Sequence, residues 1–377
     1  MKRSAFFYFC VGISVIILGL NIAAFFTPFC DTYRSTVYGF IADNLGKAIG
    51  YLPYALGEVL MFTFIVIILL FIILSIFFIF FKNRSGYRKV FFDFSKFTIV
   101  VCLLALLVYT LNWIIPFRGS VVTVKGAGER KYKLDEVIKV RNHLVSKVNE
   151  VAAQVKRDEK GRVVYNNKKA SNAVVDSMHE LASDYPLLEG HYPPMKKAFI
   201  SDVLEWMDIG GYTYPYTMEV TYNKYCTNLY YPFLFAHESS HHQGYYKESE
   251  ANYLAFLGCI NSNNKVAEYS GYLEIYYYFE EEVVTRLVKD KKEDMMGDMP
   301  GLSEQVLNDV ANAVMESKKL YEEDNHPAEK LSSSINKASE TGWDVQDEVL
   351  KEDNYDGVVN LVLKYYDVNS SLFRNKK

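Results

Sequence analysis

The sequence predicts a mainly α chain, in which three N-terminal transmembrane helices precede an α+β, mostly helical domain with a small sheet. Three observations carry this reading. Uncharged apolar runs crowd the first third of the 377 residues. After about Arg118 the composition becomes that of a globular domain with helical periodicity. One stretch, 210–225 (GGYTYPYTMEVTYNKY), is rich in aromatic and β-branched residues that alternate as a strand does.

The apolar runs are 5–26, 59–81 and 97–117. Each is long enough to cross a hydrocarbon core of roughly 30 Å as a helix. Lys2 and Arg3 precede the first, but it is longer than a signal-peptide core and no small-x-small cleavage site follows, so it reads as a retained anchor. Lys82, Arg84, Arg88, Lys89 and Lys96 separate the second and third runs, whereas only Arg34 and Lys47 separate the first and second. The positive-inside rule therefore places the N-terminus and the 82–96 loop in the cytoplasm. The loop 28–57 and everything after Phe117 then lie outside. Apolar spacing in 28–57 predicts a short interfacial helix. The chain divides into a membrane domain, 1–117, whose partner is the lipid bilayer, and an extracytoplasmic domain, 118–377.

Net charge is −4 with no long basic run, which excludes nucleic acid as a partner. Five cysteines make no disulfide framework. Only Cys226 and Cys259 belong to the outer domain, either as one bridge or as two buried thiols.

In the outer domain GSVVTVKG (119–126) reads as a short strand or linker. Residues 133–157 form a helix with Val137, Val140, Leu144, Val148 and Val151 on one stripe, broken by DEKGR at 158–162. Helices follow at 169–181 and 197–207, with a Pro/Gly-rich turn at 185–194 between them. TMEVTY within the strand-like stretch is a candidate edge strand for an extended peptide. Further helices are expected at 272–288, 302–323 and 357–366, and YYYF (276–279) reads as core.

The chemistry concentrates in FLFAHESSHHQGYYKESEANYLAF, 233–256, which reads as two helices separated at Gly244. His237-Glu238-Ser239-Ser240-His241 has the form H-E-x-x-H, and on a helix positions i and i+4 share a face, so two imidazoles can hold one Zn²⁺. Glu238, beside the first ligand, is the candidate base that takes a proton from zinc-bound water. The extended form of the motif would need a third histidine at 247, but Lys247 stands there and an ammonium cannot ligate. Glu248 supplies the third ligand instead, with Glu250 as the alternative, because the two point roughly 200° apart on an ideal helix. Asn252 shares Glu248's face and accepts a hydrogen bond from a ligand imidazole. His242 is expected to point away from the metal, towards solvent. Tyr245, Tyr246 and Tyr355 are candidate oxyanion donors by residue type alone. A His/Glu-rich helix can be a plain solvated face, but the apolar residues on both sides, Phe233–Phe235 and Tyr253–Leu257, argue burial, and buried ionisable groups need partners.

HESSH followed by ESEAN resembles the H-E-x-x-H plus E-x-x-[AG]-[DN] signature of gluzincin-type metallopeptidases. The chain more closely resembles a bacterial membrane family of unknown function, DUF3810, through YLPYALGE (51–58), NWIIPFRGS (112–120), TYPYTMEVTYN (213–223), the 237–256 segment and YDGVVNLVLKYY (355–366). The resemblance implies a membrane-anchored, gluzincin-like zinc peptidase with one Zn²⁺ per chain, acting on a peptide or protein at the bacterial cell membrane. Ser239 departs from the family pattern by being polar where an apolar residue is usual, and Asn252 stands where several gluzincins have Asp. The alternative is a non-catalytic zinc-binding receptor or scaffold of the envelope.

Overall fold

The computed structural model describes residues 3–326, 329–339 and 354–373. Helix accounts for 70% of it, with one small three-stranded sheet. Its contacts divide into two units, Met1–Ser120 with Thr213–Glu219, and Val121–Tyr212 with Val220–Lys377.

The first unit contains α1 (Arg3–Ala23), α2 (Thr27–Tyr33), a π-helical turn (Arg34–Tyr38), α3 (Gly39–Gly50), α4 (Leu56–Phe81), α5 (Ser85–Tyr109), a second π-helical turn (Thr110–Ile114) and α6 (Ile115–Phe117). Three helical stretches, Ala5–Ala23, Leu56–Phe81 and Ser85–Phe117, are long and apolar enough to cross a membrane. Val66, Leu69, Ile72, Ile73 and Ile76 of α4 stand exposed, an arrangement that hydrocarbon tolerates and water does not.

Residues 82–96 are not the loop expected between the second and third spans. Helix begins again at Ser85, and the 33 residues to Phe117 rise about 50 Å, longer than the hydrocarbon core.

The segment Thr213–Glu219 is held to α4 by polar contacts. Ala55 at the N-cap of α4 supplies no side-chain acceptor. The Glu219 carboxylate takes that role, accepting from the Leu56 N–H at 2.9 Å, the Gly57 N–H at 2.6 Å and the Thr217 hydroxyl at 2.7 Å. A carboxylate at a helix N-terminus satisfies orphan amides and meets the positive end of the dipole. The Tyr214 ring lies so close to Gly57 that a Cβ there would fall 2.3 Å from its Cδ1. Asn112 Nδ2 donates to the Pro215 carbonyl at 2.7 Å.

The second unit is built from α7 (Leu134–Ala152), α8 (Asn167–Leu181), α9 (Ser201–Trp206), α10 (Tyr231–His242), α11 (Glu248–Ile260), α12 (Lys265–Asp290), α13 (Glu304–Glu322) and α14 (Asn354–Asn369). The stripe Val137, Val140, Leu144, Val148 and Val151 of α7 is buried throughout and packs on α12. Helix α11 is apolar on all sides past its first turn, and such a helix must be enclosed. It packs against α8, α10, α12 and α14, and Ala251, Leu254, Ala255, Phe256 and Cys259 lose all contact with solvent.

The sheet has the order β1-β3-β2, from Lys196–Lys197, Glu219–Tyr222 and Gly211–Tyr214 respectively, with β1 parallel to β3 and Lys196 opposite Thr221. The single strand expected at 210–225 is thus a hairpin, turned at Pro215–Met218 with Met218 at a φ of 56°. TMEVTY supplies the central strand, so it offers no free edge to a peptide. Residues 119–126 form a linker rather than a strand, the helix expected to run to 157 stops at Ala152, and the one expected at 197–207 begins only at Ser201. Cys226 and Cys259 are both free thiols.

Glu219→Ala removes two hydrogen bonds from the start of α4 and one from Thr217. We expect it to lower the stability of the detergent-solubilised protein by about 2 kcal/mol, read from thermal unfolding. An unchanged melting temperature would contradict this role.

Candidate metal centre

Helix α10 opens with Pro232 in its first turn and carries His237 and His241 one turn apart on one face. It ends where Gly244, at a φ of 100°, adopts the left-handed conformation that side chains resist. The chain reverses there, closed by Gly244 N–H to His241 O at 2.9 Å and Tyr245 N–H to Ser240 O at 3.0 Å. Helix α11 then starts with Glu248 in its first turn, where the helix dipole favours a carboxylate.

The turn brings His237, His241 and Glu248 together, with one ligand atom from each within 4.8 Å of the others. The two Nε2 atoms are 3.1 Å apart. Oε2 of Glu248 stands 3.2 Å from Nε2 of His237 and Oε1 stands 3.4 Å from Nε2 of His241. Atoms held about 2.0–2.1 Å from one tetrahedral ion lie roughly 3.3 Å from each other, so the nitrogen pair, with one carboxylate oxygen facing each nitrogen, suits a single ion held by all three side chains.

The far nitrogens decide the character of the cluster. Nδ1 of His241 faces the Tyr245 carbonyl at 2.8 Å, an acceptor only. Nδ1 of His237 faces Oδ1 of Asn252 at 2.8 Å, while the other end of that amide, Nδ2, donates to the Tyr278 hydroxyl at 3.0 Å. In the neutral rings both Nδ1 atoms therefore carry the proton, and each Nε2 presents a lone pair. Two lone pairs and a carboxylate converging in a largely buried place form a seat for positive charge. The electrostatics agree. Burial opposes charge on His241, yet Glu248 beside it wins and pushes its pKa up to about 9, with Glu238 adding to the pull. Against its own burial, Glu248 is held well below the usual carboxylate range by the two imidazoles.

The remaining candidates divide. Glu238 is 3% exposed, and its side chain lies against Gly211, where an added Cβ would sit 3.3 Å from Glu238 Oε1 and 2.4 Å from the Thr221 carbonyl. Only glycine leaves that room. Glu250 turns away from the cluster and accepts from the Val122 N–H at 2.7 Å. The Tyr246 ring stacks on the His241 imidazole at 6.1 Å, whereas the Tyr245 ring joins the core and its carbonyl meets the centre. Tyr355 begins α14, but its side chain lies outside the described residues. His242, expected to face solvent, is fully buried.

Sequence reasoning missed Tyr278 and the Tyr245 carbonyl. Tyr276 and Phe279 are core, as YYYF suggested, but Tyr278 between them reaches the Asn252 amide. Its only signal was a polar tip in an apolar run, which thirty tyrosines make uninformative. Glu274, one turn earlier on the same face of α12, also drew no attention. Its carboxyl lies within electrostatic reach of Tyr230, Cys226, Cys259 and Tyr277, and although the residue keeps some solvent contact, burial pushes its pKa up to about 8.

The chain matches, over residues 33–351, the family described as protein of unknown function (DUF3810), and it belongs to that family. No curated protein and no solved structure matches it significantly.

Glu274 titrates higher in the folded chain than the roughly 4.5 of a free carboxyl. Its stabilising effect is full below that value and is lost as pH rises towards 8. Glu274→Gln should therefore gain stability relative to the wild type between pH 5 and pH 8.5, measured by denaturant unfolding across that range. A constant difference would show that Glu274 titrates normally.

Proposed function

For this member of the family we propose a membrane-anchored, gluzincin-like zinc metallopeptidase. The observation that supports it is the set of 3.1–3.4 Å separations among two imidazole lone pairs and a carboxylate, with Glu238 adjacent in sequence to the first ligand. Two nitrogens and one carboxylate suit zinc and leave a fourth coordination position open, as hydrolysis requires.

His237, His241 and Glu248 hold the ion, one per chain. Zinc, when bound, supplies a Lewis acid that polarises a carbonyl and lowers the pKa of water towards about 7. Glu238 takes the water proton and delivers it to the leaving amine. Asn252 keeps His237 in the Nδ1–H form, and the Tyr245 carbonyl does the same for His241. Tyr246, stacked on His241, is the best placed of the candidate oxyanion donors whose side chains are described.

The substrate is a peptide or protein. The excess of Lys and Arg at 82–96 supports an N-terminus in the cytoplasm and a domain after residue 117 outside a bacterial cell membrane.

The full-length protein in detergent should hold one zinc, and His237→Ala should lose it. Glu238→Gln should keep the zinc while hydrolysis of a peptide library falls about 10²–10⁴-fold. Wild-type protein without zinc would sink the metal centre. Zinc-loaded wild type that cleaves nothing would favour a zinc-binding scaffold. For topology, Lys160→Cys, in an exposed turn, should react with an impermeant thiol reagent on intact cells. Reaction only after permeabilisation would reverse the orientation.

A further inference from the structure

We infer that Tyr278 is a positioning residue of the metal centre, acting on His237 through the Asn252 amide; this rests on the zinc reading above. The ligands and Asn252 all come from α10 and α11, the two helices joined at Gly244. Tyr278 comes from α12, a third helix packed against both. It closes a chain of three contacts. The Tyr278 hydroxyl accepts from Asn252 Nδ2 at 3.0 Å, Asn252 Oδ1 accepts from His237 Nδ1 at 2.8 Å, and His237 Nε2 faces the other ligands.

The need for such a residue follows from the chemistry of position 252. A carboxylate there can only accept, whichever way it turns, and so can only favour the Nδ1–H form of His237. An amide has one accepting and one donating end. If Nδ2 faced the ring, Nδ1 would have to accept, the proton would move to Nε2, and the lone pair that binds metal would be gone. Asn252 is 6% exposed, so water offers its second end little. The phenolic oxygen gives Nδ2 a partner on the side away from His237 and so fixes the plane and the place of the amide beside the ring. Without that oxygen, a buried N–H loses its partner and the amide loses what fixes it beside the ring.

The test is zinc affinity of the full-length protein by chelator competition, for the wild type, Tyr278→Phe, Asn252→Ala and the double variant. Phenylalanine keeps the ring packing and removes only the hydroxyl. Outer contacts to a metal ligand commonly change affinity about 10–100-fold. We expect Asn252→Ala within that range and Tyr278→Phe at its lower end, about tenfold. The double variant should match Asn252→Ala alone, because Tyr278 has nothing to act on once the amide is gone. Tyr277→Phe, at an exposed neighbouring tyrosine, should bind as the wild type does. The ligand-field absorption of the cobalt-substituted protein should shift in Tyr278→Phe and stay put in Tyr277→Phe. If Asn252→Ala does not fold, Asn252→Ser replaces it. Unchanged affinity in Tyr278→Phe, or losses that simply multiply in the double variant, would overturn the inference and leave the metal centre intact. A wild type that binds no zinc would instead remove the reading on which it rests.

Discussion

Everything in the candidate centre depends on where two protons sit. Each ligand imidazole gives its Nδ1–H to a fixed oxygen, the Tyr245 carbonyl for His241 and the Asn252 amide for His237. With those hydrogens committed, both Nε2 atoms are left facing Glu248. Glu248 draws positive charge to that place: beside it the pKa of His241 rises to about 9, so at neutral pH a proton sits in the cluster, and a bound cation would take that proton's place.

The scaffold holds these groups on packed helices. Helix α11, buried by four neighbours, carries Glu248 and Asn252 on its first two turns, so both are placed by a core and not by a loop. Helix α10 is anchored the same way by Phe233, Leu234 and Phe235, all buried. The short connection through Gly244 fixes the angle between the two, and Gly211 lets the sheet approach Glu238 closely. The first unit uses a similar device at larger sequence separation: Glu219, 162 residues from Gly57, supplies the acceptor that the start of α4 lacks nearby.

Much of this is legible in the residues. The apolar runs can be nothing but long helices, and the four-residue spacing of His237 and His241 is enough to place both on one helical face. The errors have physical causes. The charges at 82–96 suggest a loop because charge interrupts an apolar run, but charge does not interrupt helix, and Ser85–Tyr109 continues through it. The strand at 210–225 is one pattern that a turn at Pro215–Met218 cuts into two. His242 is expected in solvent because it sits beside a ligand, yet α10 is enclosed on every side and has no solvent face to offer.

Local quantities can be read along the chain: helix and strand periods, the one-turn spacing of two imidazoles, a glycine where the backbone must turn left, and the placement of Glu248 and Glu250 on different faces. Packing between helices chose which of those carboxylates meets the imidazoles, which carbonyl holds His241, and that Tyr278 reaches Asn252 from a separate helix. The reason is range. Periodicity and turn chemistry act over a few bonded neighbours, whereas the choice of hydrogen-bond partner depends on packing between helices whose contacts no local pattern records.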